Sequence, residues 1–505
     1  MTAYNRIYNE VSRRFQTLKI PHSITVRCRR EVQHWTEKSG PEWTVKRLKA
    51  LKTDFIRISG GLDPSSTWIS YKGDHPAGAF GGLFRWGHRN PKHTRKALNA
   101  LMVYTAYQSS KETESQLAKF YGSLTGEVDA AAVDTYSSLI KPLAEKLAVR
   151  RKKLRDVTTF IASPERRCPS SDGRSVSEEQ WLNTVDCLWK TALGRELYRD
   201  YPQIREVVKP IDGLVRPQLS RLPSYFWDER EVGSTGFAGK IGHIQEPGWK
   251  LRAVANPFRL YQLSLSRLGD QLYELVESLE YDCTHNQDEG VRWAQRKLAQ
   301  GSTMYAVDLS DATNQFPLDL QLNALRHVRG VQEEDINLFR TLSRAEWISP
   351  THGKVAWTKG QPLGLYPSFA AFTLTHGLLL ASLCEVLELP VADSFRVLGD
   401  DVVVSDKKLH ASYRKALVDL GIQVSEDKTV ISKLVTEFGG RVIYPESVIT
   451  LGKWRESSDR SFLDVLRNTG PAYVKYLKPR QRAVAELLMT LPEPVGLGLN
   501  PAGLP

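Results

Sequence analysis

The chain of 505 residues is 41% hydrophobic and 25% charged, an ordinary composition for a globular protein, and its length suits several subdomains rather than one core. A formal net charge of +12 and a pI of about 9.3 favour a polyanionic partner, nucleic acid ahead of an anionic membrane surface. Five cysteines (Cys28, Cys168, Cys187, Cys283 and Cys384), an odd number with no CxxC pair, argue against a disulfide framework or a zinc knuckle and fit a reducing compartment.

The N-terminal "MTAYNRIYNEVSRRFQ" lacks the apolar core of a secretory signal, and Glu10 speaks against a mitochondrial presequence, so a surface helix is expected. Residues 1 to about 230 read as mostly helical, interrupted by the turn-forming "SGGLDPSSTW" and "GDHPAGAFGGLFRWGHRNP". Two basic runs, "RCRR" at Arg27–Arg30 and "RRKKLR" at Arg150–Arg155, read first as solvated helix faces and second as borders of a phosphate-tracking groove. From Gly239 onward the pattern changes. "KIGHIQEPGWKLRAVANP" predicts two short strands around a Pro-Gly turn, and "MYAVDLSDATNQFP" predicts a strand running into a loop. "KGQPLGLYPS" is a loop ahead of the most apolar window, "SFAAFTLTHGLLLASLCEVL". Thr373, Thr375 and His376 interrupt that window, which falls short of the ~20 clean residues of a membrane span, so a buried helix is expected. "SFRVL" and "VVVSD" flank Gly399, Asp400 and Asp401 as a hairpin with acids at its tip. "KALVDLGIQVSEDKTVIS" predicts a helix capped by Gly421, then a strand; the tail "LPEPVGLGLNPAGLP" reads as extended. The sum is an α+β layout in which a small antiparallel sheet is backed by helices.

This order brings the end of the Asp308 strand beside the hairpin tip. Asp308, Asp400 and Asp401 could then meet at one sheet edge, an arrangement that is costly unless a hard cation neutralises it. Mg²⁺ binds a few carboxylates and keeps water and phosphate as its other ligands, and two such ions about 3.5–4 Å apart suit nucleotidyl transfer. A lone Gly-Asp-Asp is a weak signal, since both residue types are common in turns. Its neighbours strengthen it.

"VDLSDATNQFP", "GQPLGLYPSFAAFTLTH", "VLGDDVVVSD", "SEDKTVIS" and "EFGGRVIYP" resemble motifs A to E of viral RNA-dependent RNA polymerases, and "EPGWKLRAVANP" resembles their motif F. The nearest look is to the narnavirus-like group, related to mitoviruses, ourmia-like viruses and RNA bacteriophages. The match is specific from about Gly239 to Pro445 and fainter at "FLDVLRNTG" and "GLGLNP". The resemblance implies a right-hand fold: residues 1–235 as N-terminal region and part of the fingers, 236–300 as fingers with motif F, 301–445 as palm, and 446–505 as thumb and tail.

It also implies roles. Asp308 and Asp400 match the essential metal ligands, and Asp401 is their less strictly needed neighbour. Lys428 matches a lysine that protonates the departing pyrophosphate. The ribose-sensing aspartate of motif A falls at Asn314 here, with Asp311 three residues earlier, and either side chain suits a hydroxyl; a turn cap is the structural alternative for Asp311. Gly360, Gly364 and Ser368 match motif B, where glycines admit template and nucleotide; Ser368 also reads as a helix cap. Thr375 and His376 read equally as ribose-sensing or as satisfied core groups. Lys250 and Arg252, alternating on one strand face, would grip the triphosphate, and Lys240 and Arg259 would extend that basic channel. Phe438 and Arg441 lie in motif E, where the primer end would rest. The implied activity is copying of a positive-strand viral RNA genome from NTPs with Mg²⁺, or Mn²⁺ in its place, without a protein primer. The RNA would stay bound as a ribonucleoprotein in host cytoplasm rather than the mitochondrion, with host factors as further partners. The alternatives are a reverse transcriptase, against which Gly399 and the polar "SDATN" run count, and a non-catalytic RNA-binding scaffold. A P-loop ATPase is ruled out because no GxxxxGK[ST] occurs.

Overall fold

The computed structural model describes residues 7–159, 192–215, 236–426, 429–453, 474 and 477–489. They form two compact units. One comprises residues 112–244 and 251–439; the other comprises 1–111, 245–250 and 440–505. These divisions fall elsewhere than the boundaries expected at 235, 300 and 445.

The larger unit carries the acids. Its centre is the helix Ser368–Val386, in which all residues from Ala370 to Cys384 are buried. By length and a mean hydropathy of 1.5 that helix could cross a membrane, but 83% of the window is buried inside the chain. The helices Ala130–Ala144, Ser266–Glu277, Leu318–His327 and Lys407–Asp419 pack around it. An all-round apolar helix has no solvent face to present, so it becomes the axis of the core.

Two sheets flank this core. The first has the order β2-β1-β4-β5, from β1 (Gly239–Glu246), β2 (Lys250–Pro257), β4 (Trp347–Ser349) and β5 (Gly353–Val355). The turn expected between β1 and β2 is present, with Gly248 and Trp249 both at positive φ. The second has the order β6-β7-β3-β8, from β3 (Met304–Asp308), β6 (Phe395–Leu398), β7 (Asp401–Val404) and β8 (Val430–Ser432), and is antiparallel throughout. Its two faces differ. Tyr305, Val307, Phe395, Val397, Val402 and Val404 point into the helical core. Ala306 pairs with Val403 and Asp308 with Asp401, on the other face. There β9 (Thr436–Phe438) and the helix Gln287–Ala299 pack on the sheet.

In the smaller unit, the helices Ile7–Thr17, His22–Ser59, Phe80–Gly87 and Pro91–Leu101 pack together. The second is broken at Gly40, φ 80 and ψ 169, just before Pro41. The hairpin of β10 (Arg441–Tyr444) and β11 (Ser447–Thr450) belongs here. The buried Arg14 guanidinium donates to Asn99 O and Gly452 O, both at 2.9 Å, so chain ends distant in sequence share one unit. The "RRKKLR" run is not helical, contrary to the sequence reading. It has no regular secondary structure, and its Lys152 pairs with Glu274 and its Arg155 with Asp270.

Candidate functional site

Strand register does most of the assembly. Asp308 ends β3 and Asp401 begins β7, and the two are Cα partners. Directly opposed residues of an antiparallel pair share a face, so these carboxyl groups point the same way. Leu398 pairs with Asp401, leaving Gly399 and Asp400 as a two-residue turn. Gly399 has φ +61 while Asp400 is not among the residues at positive φ, the pattern of a type II′ hairpin. A Cβ at Gly399 would lie 2.8 Å from Phe369 Cε2, so glycine is needed here for room as well as for φ. Asp400 is exposed at the turn, whereas Asp308 and Asp401 are half-buried.

The backbone around Asp308 is tied down. Ser425 N donates to Asp308 O at 2.8 Å, Leu309 bridges Val424, and the Ser310 and Ser425 hydroxyls are 2.9 Å apart. Asp401 Oδ2 accepts from Gly439 N at 2.7 Å. Burial above all pushes the Asp401 carboxyl up to about 7; the Gly439 hydrogen bond opposes this, and the charges of Asp400, Asp308 and Glu437 add to it. Among the described residues no three carboxylate, imidazole or thiol groups gather closely enough to hold a metal by themselves. Hard oxygen donors from Asp308 and Asp400, with Asp401 engaged by Gly439, still fit a cation such as Mg²⁺, which takes few protein ligands and fills its shell with water and phosphate.

The motif A turn places Asp311 at φ 49, in the left-handed region, with no side-chain capping bond, so the turn-cap reading does not hold. Its side chain is 32% exposed, with Lys119 Nζ at 4.0 Å. Asn314 is buried. Its amide donates to Ser123 Oγ and accepts from Trp357 Nε1, both at 2.8 Å. Of the two candidates for the ribose, only Asp311 has a side chain that reaches solvent.

Several motif B assignments need correction. Ser368 is fully buried and is the first residue of its helix, not its cap; its hydroxyl donates to Pro362 O at 3.1 Å. Thr375 is a satisfied core hydroxyl that donates to Ala371 O at 2.8 Å. Gly360 and Gly364 are needed for close approach of the chain to itself: a Cβ at the first would strike Thr313 O and at the second Ala255 O. Arg259 is also removed from the basic channel. It is fully buried, and its guanidinium donates to the carbonyls of Val157 and Thr159. Phe438 is fully buried at Gly290, so its ring does not face RNA. Lys250 and Arg252 occupy exposed alternate positions of β2, and Lys240 is half-buried on β1. Arg441 is half-buried and opposes Thr450 in the other unit. Lys428 lies outside the described residues.

Two of the acids thus stand at paired strand ends. The family model described as mitovirus RNA-dependent RNA polymerase matches residues 172–469. The chain belongs to that family. The mitovirus branch is thus the relevant one within the wider viral group that the motifs resemble. The RNA-directed RNA polymerase of Cryphonectria parasitica mitovirus 1 (strain American chestnut tree/New Jersey/NB631) is 29% identical over 210 residues, 40% of this chain and 25% of that protein. An uncharacterized mitochondrial protein of Arabidopsis thaliana is 32% identical over 134 residues, 25% of this chain and 53% of that protein. The BmCPV RNA-dependent RNA polymerase at elongation state superposes with a TM-score of 0.53 at 11% identity, covering 98% of this chain and 47% of that one. The last comparison shows the right-hand polymerase fold. This chain spans about a quarter to a half of the length of these relatives.

Sequence reasoning missed Asp282 and Tyr413, which stand behind the turn, and treated Thr373 only as an interruption of an apolar run. For Thr373 the available signal was the cluster of polar residues inside that run; Asp282 and Tyr413 lie outside it and had no local signal.

Proposed function

We propose that the chain is an RNA-dependent RNA polymerase that copies a positive-strand viral RNA from NTPs by two-metal nucleotidyl transfer, starting without a protein primer. The observation that carries this reading is the pairing of Asp308 with Asp401 beside an exposed Asp400, in a chain of the mitovirus polymerase family. Asp308 and Asp400 would hold the metal, with Asp401 behind them. Bound Mg²⁺ or Mn²⁺ would supply activation of the 3′-hydroxyl and charge neutralisation of the leaving pyrophosphate. The chain's own residues do the rest. Asp311, open to solvent and set in a strained turn, would read the ribose 2′-hydroxyl. Lys250 and Arg252, exposed on alternate positions of β2, would bind the triphosphate. Lys428, Lys240 and Arg441 keep their proposed roles toward pyrophosphate and RNA. The net charge of +12 favours retention of the RNA as a ribonucleoprotein. The mitochondrial name of the plant relative sets the mitochondrion beside the host cytoplasm as a compartment to test by fractionation.

The test is synthesis by the purified chain on single-stranded RNA with four NTPs and Mg²⁺ or Mn²⁺, alongside a folded Asp400→Ala variant. Template-length product from the wild type alone supports the proposal. Product with dNTPs but not with NTPs would make it a reverse transcriptase. RNA binding without synthesis would favour a scaffold.

A further inference from the structure

The turn that presents Asp400 is held by its backbone, from both sides of Gly399. Thr373 Oγ1 accepts from Gly399 N at 3.3 Å and donates to Asp282 Oδ2 at 2.8 Å. His376 Nδ1 lies 2.8 Å from Gly399 O, and its Nε2 lies 2.6 Å from Tyr413 Oη. Thr373, His376 and Tyr413 are all fully buried.

Chemistry sets the direction of each bond. A carbonyl oxygen can only accept, so His376 Nδ1 carries the proton toward Gly399. A neutral imidazole then has only an acceptor at Nε2, which the Tyr413 hydroxyl satisfies. Burial lowers the His376 pKa to about 4, in keeping with the neutral ring. The single hydroxyl proton of Thr373 goes to Asp282, which leaves its lone pairs for the Gly399 N–H. Asp282 is itself fixed, since its Oδ1 accepts from Thr284 N at 2.8 Å. Its neighbours are stitched to β6: Cys283 N donates to Val397 O at 2.8 Å and Val397 N to Tyr281 O at 3.0 Å. Tyr413 sits on the helix Lys407–Asp419, which follows β7. One relay is therefore anchored beside the strand that enters the turn, and the other beyond the strand that leaves it.

We propose that Thr373 and His376, backed by Asp282 and Tyr413, are positioning residues that set where Asp400 stands. The Gly399 carbonyl shares a planar peptide with the nitrogen and Cα of Asp400, so holding that carbonyl holds the start of the aspartate side chain. The N–H grip fixes the preceding peptide, and the two together remove the freedom that a glycine at φ +61 would otherwise have. This inference rests on the polymerase reading of the same turn, and its test is arranged to separate the two.

Thr373→Val keeps the shape and removes the hydroxyl, and Thr373→Ser restores it. Two readouts are taken on the full chain: Mn²⁺ binding followed by electron paramagnetic resonance, and kcat and KM for NTP on a primed template. Thr373→Val is expected to raise the half-saturating Mn²⁺ concentration about 10-fold and to lower kcat about 10- to 100-fold, with KM for NTP unchanged within about twofold. Thr373→Ser is expected to recover most of both. If Thr373→Val does not fold, Tyr413→Phe carries the test, with changes of about 3- to 10-fold in the same direction. Values within about twofold of wild type for either folded variant, or a serine as impaired as the valine, would overturn the proposal. If the wild type makes no RNA, the polymerase reading fails, and the Mn²⁺ titration alone decides whether the relays position the turn.

Discussion

The Gly399–Asp401 turn and the crossing of residues 311–314 with 357–361 lie in the same compact unit and are similarly rich in polar groups, but they use them in opposite ways. At the turn, buried side chains hold the backbone, and the aspartate between the strands stays exposed. At the crossing, the backbones of Gly360 and Gln361 bond to Asn314 and Thr313, and the Asn314 side chain is used up by Ser123 and Trp357. A motif match thus marks two kinds of residue: those offered to a ligand and those that hold the offering in place. Burial and existing partners tell them apart.

The largest expected contrast is in activity. Asp400→Ala should lower RNA synthesis by at least about 10³-fold, more than the loss of a single electrostatic donor, with an unchanged melting temperature. Asn314→Ala should act mainly on stability. Leaving Trp357 Nε1 and Ser123 without their buried partner should cost about 2–3 kcal/mol in denaturant unfolding. A selective loss of activity at full stability would instead return Asn314 to the ligand.

The relay predicts a pH effect. The folded pKa of His376, about 4, lies below the ordinary imidazole value of 6.5, so the unfolded chain binds the extra proton between those limits. Stability from this group is present above about pH 6.5 and is lost as pH falls toward 4, with a slope of up to about 1.4 kcal/mol per pH unit. Unfolding titrations of the wild type and His376→Asn check this, since the variant should lack that part of the slope.

The smallest effect is expected at Asp311. Asp311→Gly removes the carboxylate while keeping φ 49 comfortable, and should relax selection of NTP over dNTP by about 3- to 10-fold with little change in stability. Unchanged selection would leave the ribose to another residue.

The acid hairpin, its glycine and the buried helix could all be read from the sequence, because a two-residue turn and an unbroken apolar run are local properties. The roles of Phe438, Arg259, Ser368 and Thr375 could not. A phenylalanine, a cation or a hydroxyl in a motif looks the same whether it faces RNA or the core, and burial depends on what the rest of the chain lays against it. The same holds for Arg14, whose partners Asn99 and Gly452 lie far away along the chain.

By itself, then, the sequence determined the chemistry on offer: three carboxylates at the ends of predicted strands, a basic strand and a basic chain overall. Only the tertiary structure decided register and support. It set Asp308 opposite Asp401, enclosed Asn314, and brought Asp282 and Tyr413 behind Gly399 across separations of 117 and 14 residues (399 − 282; 413 − 399). Local sequence sets which turns and periodicities are cheap, whereas the partner of a buried polar group is chosen only when packing closes around it.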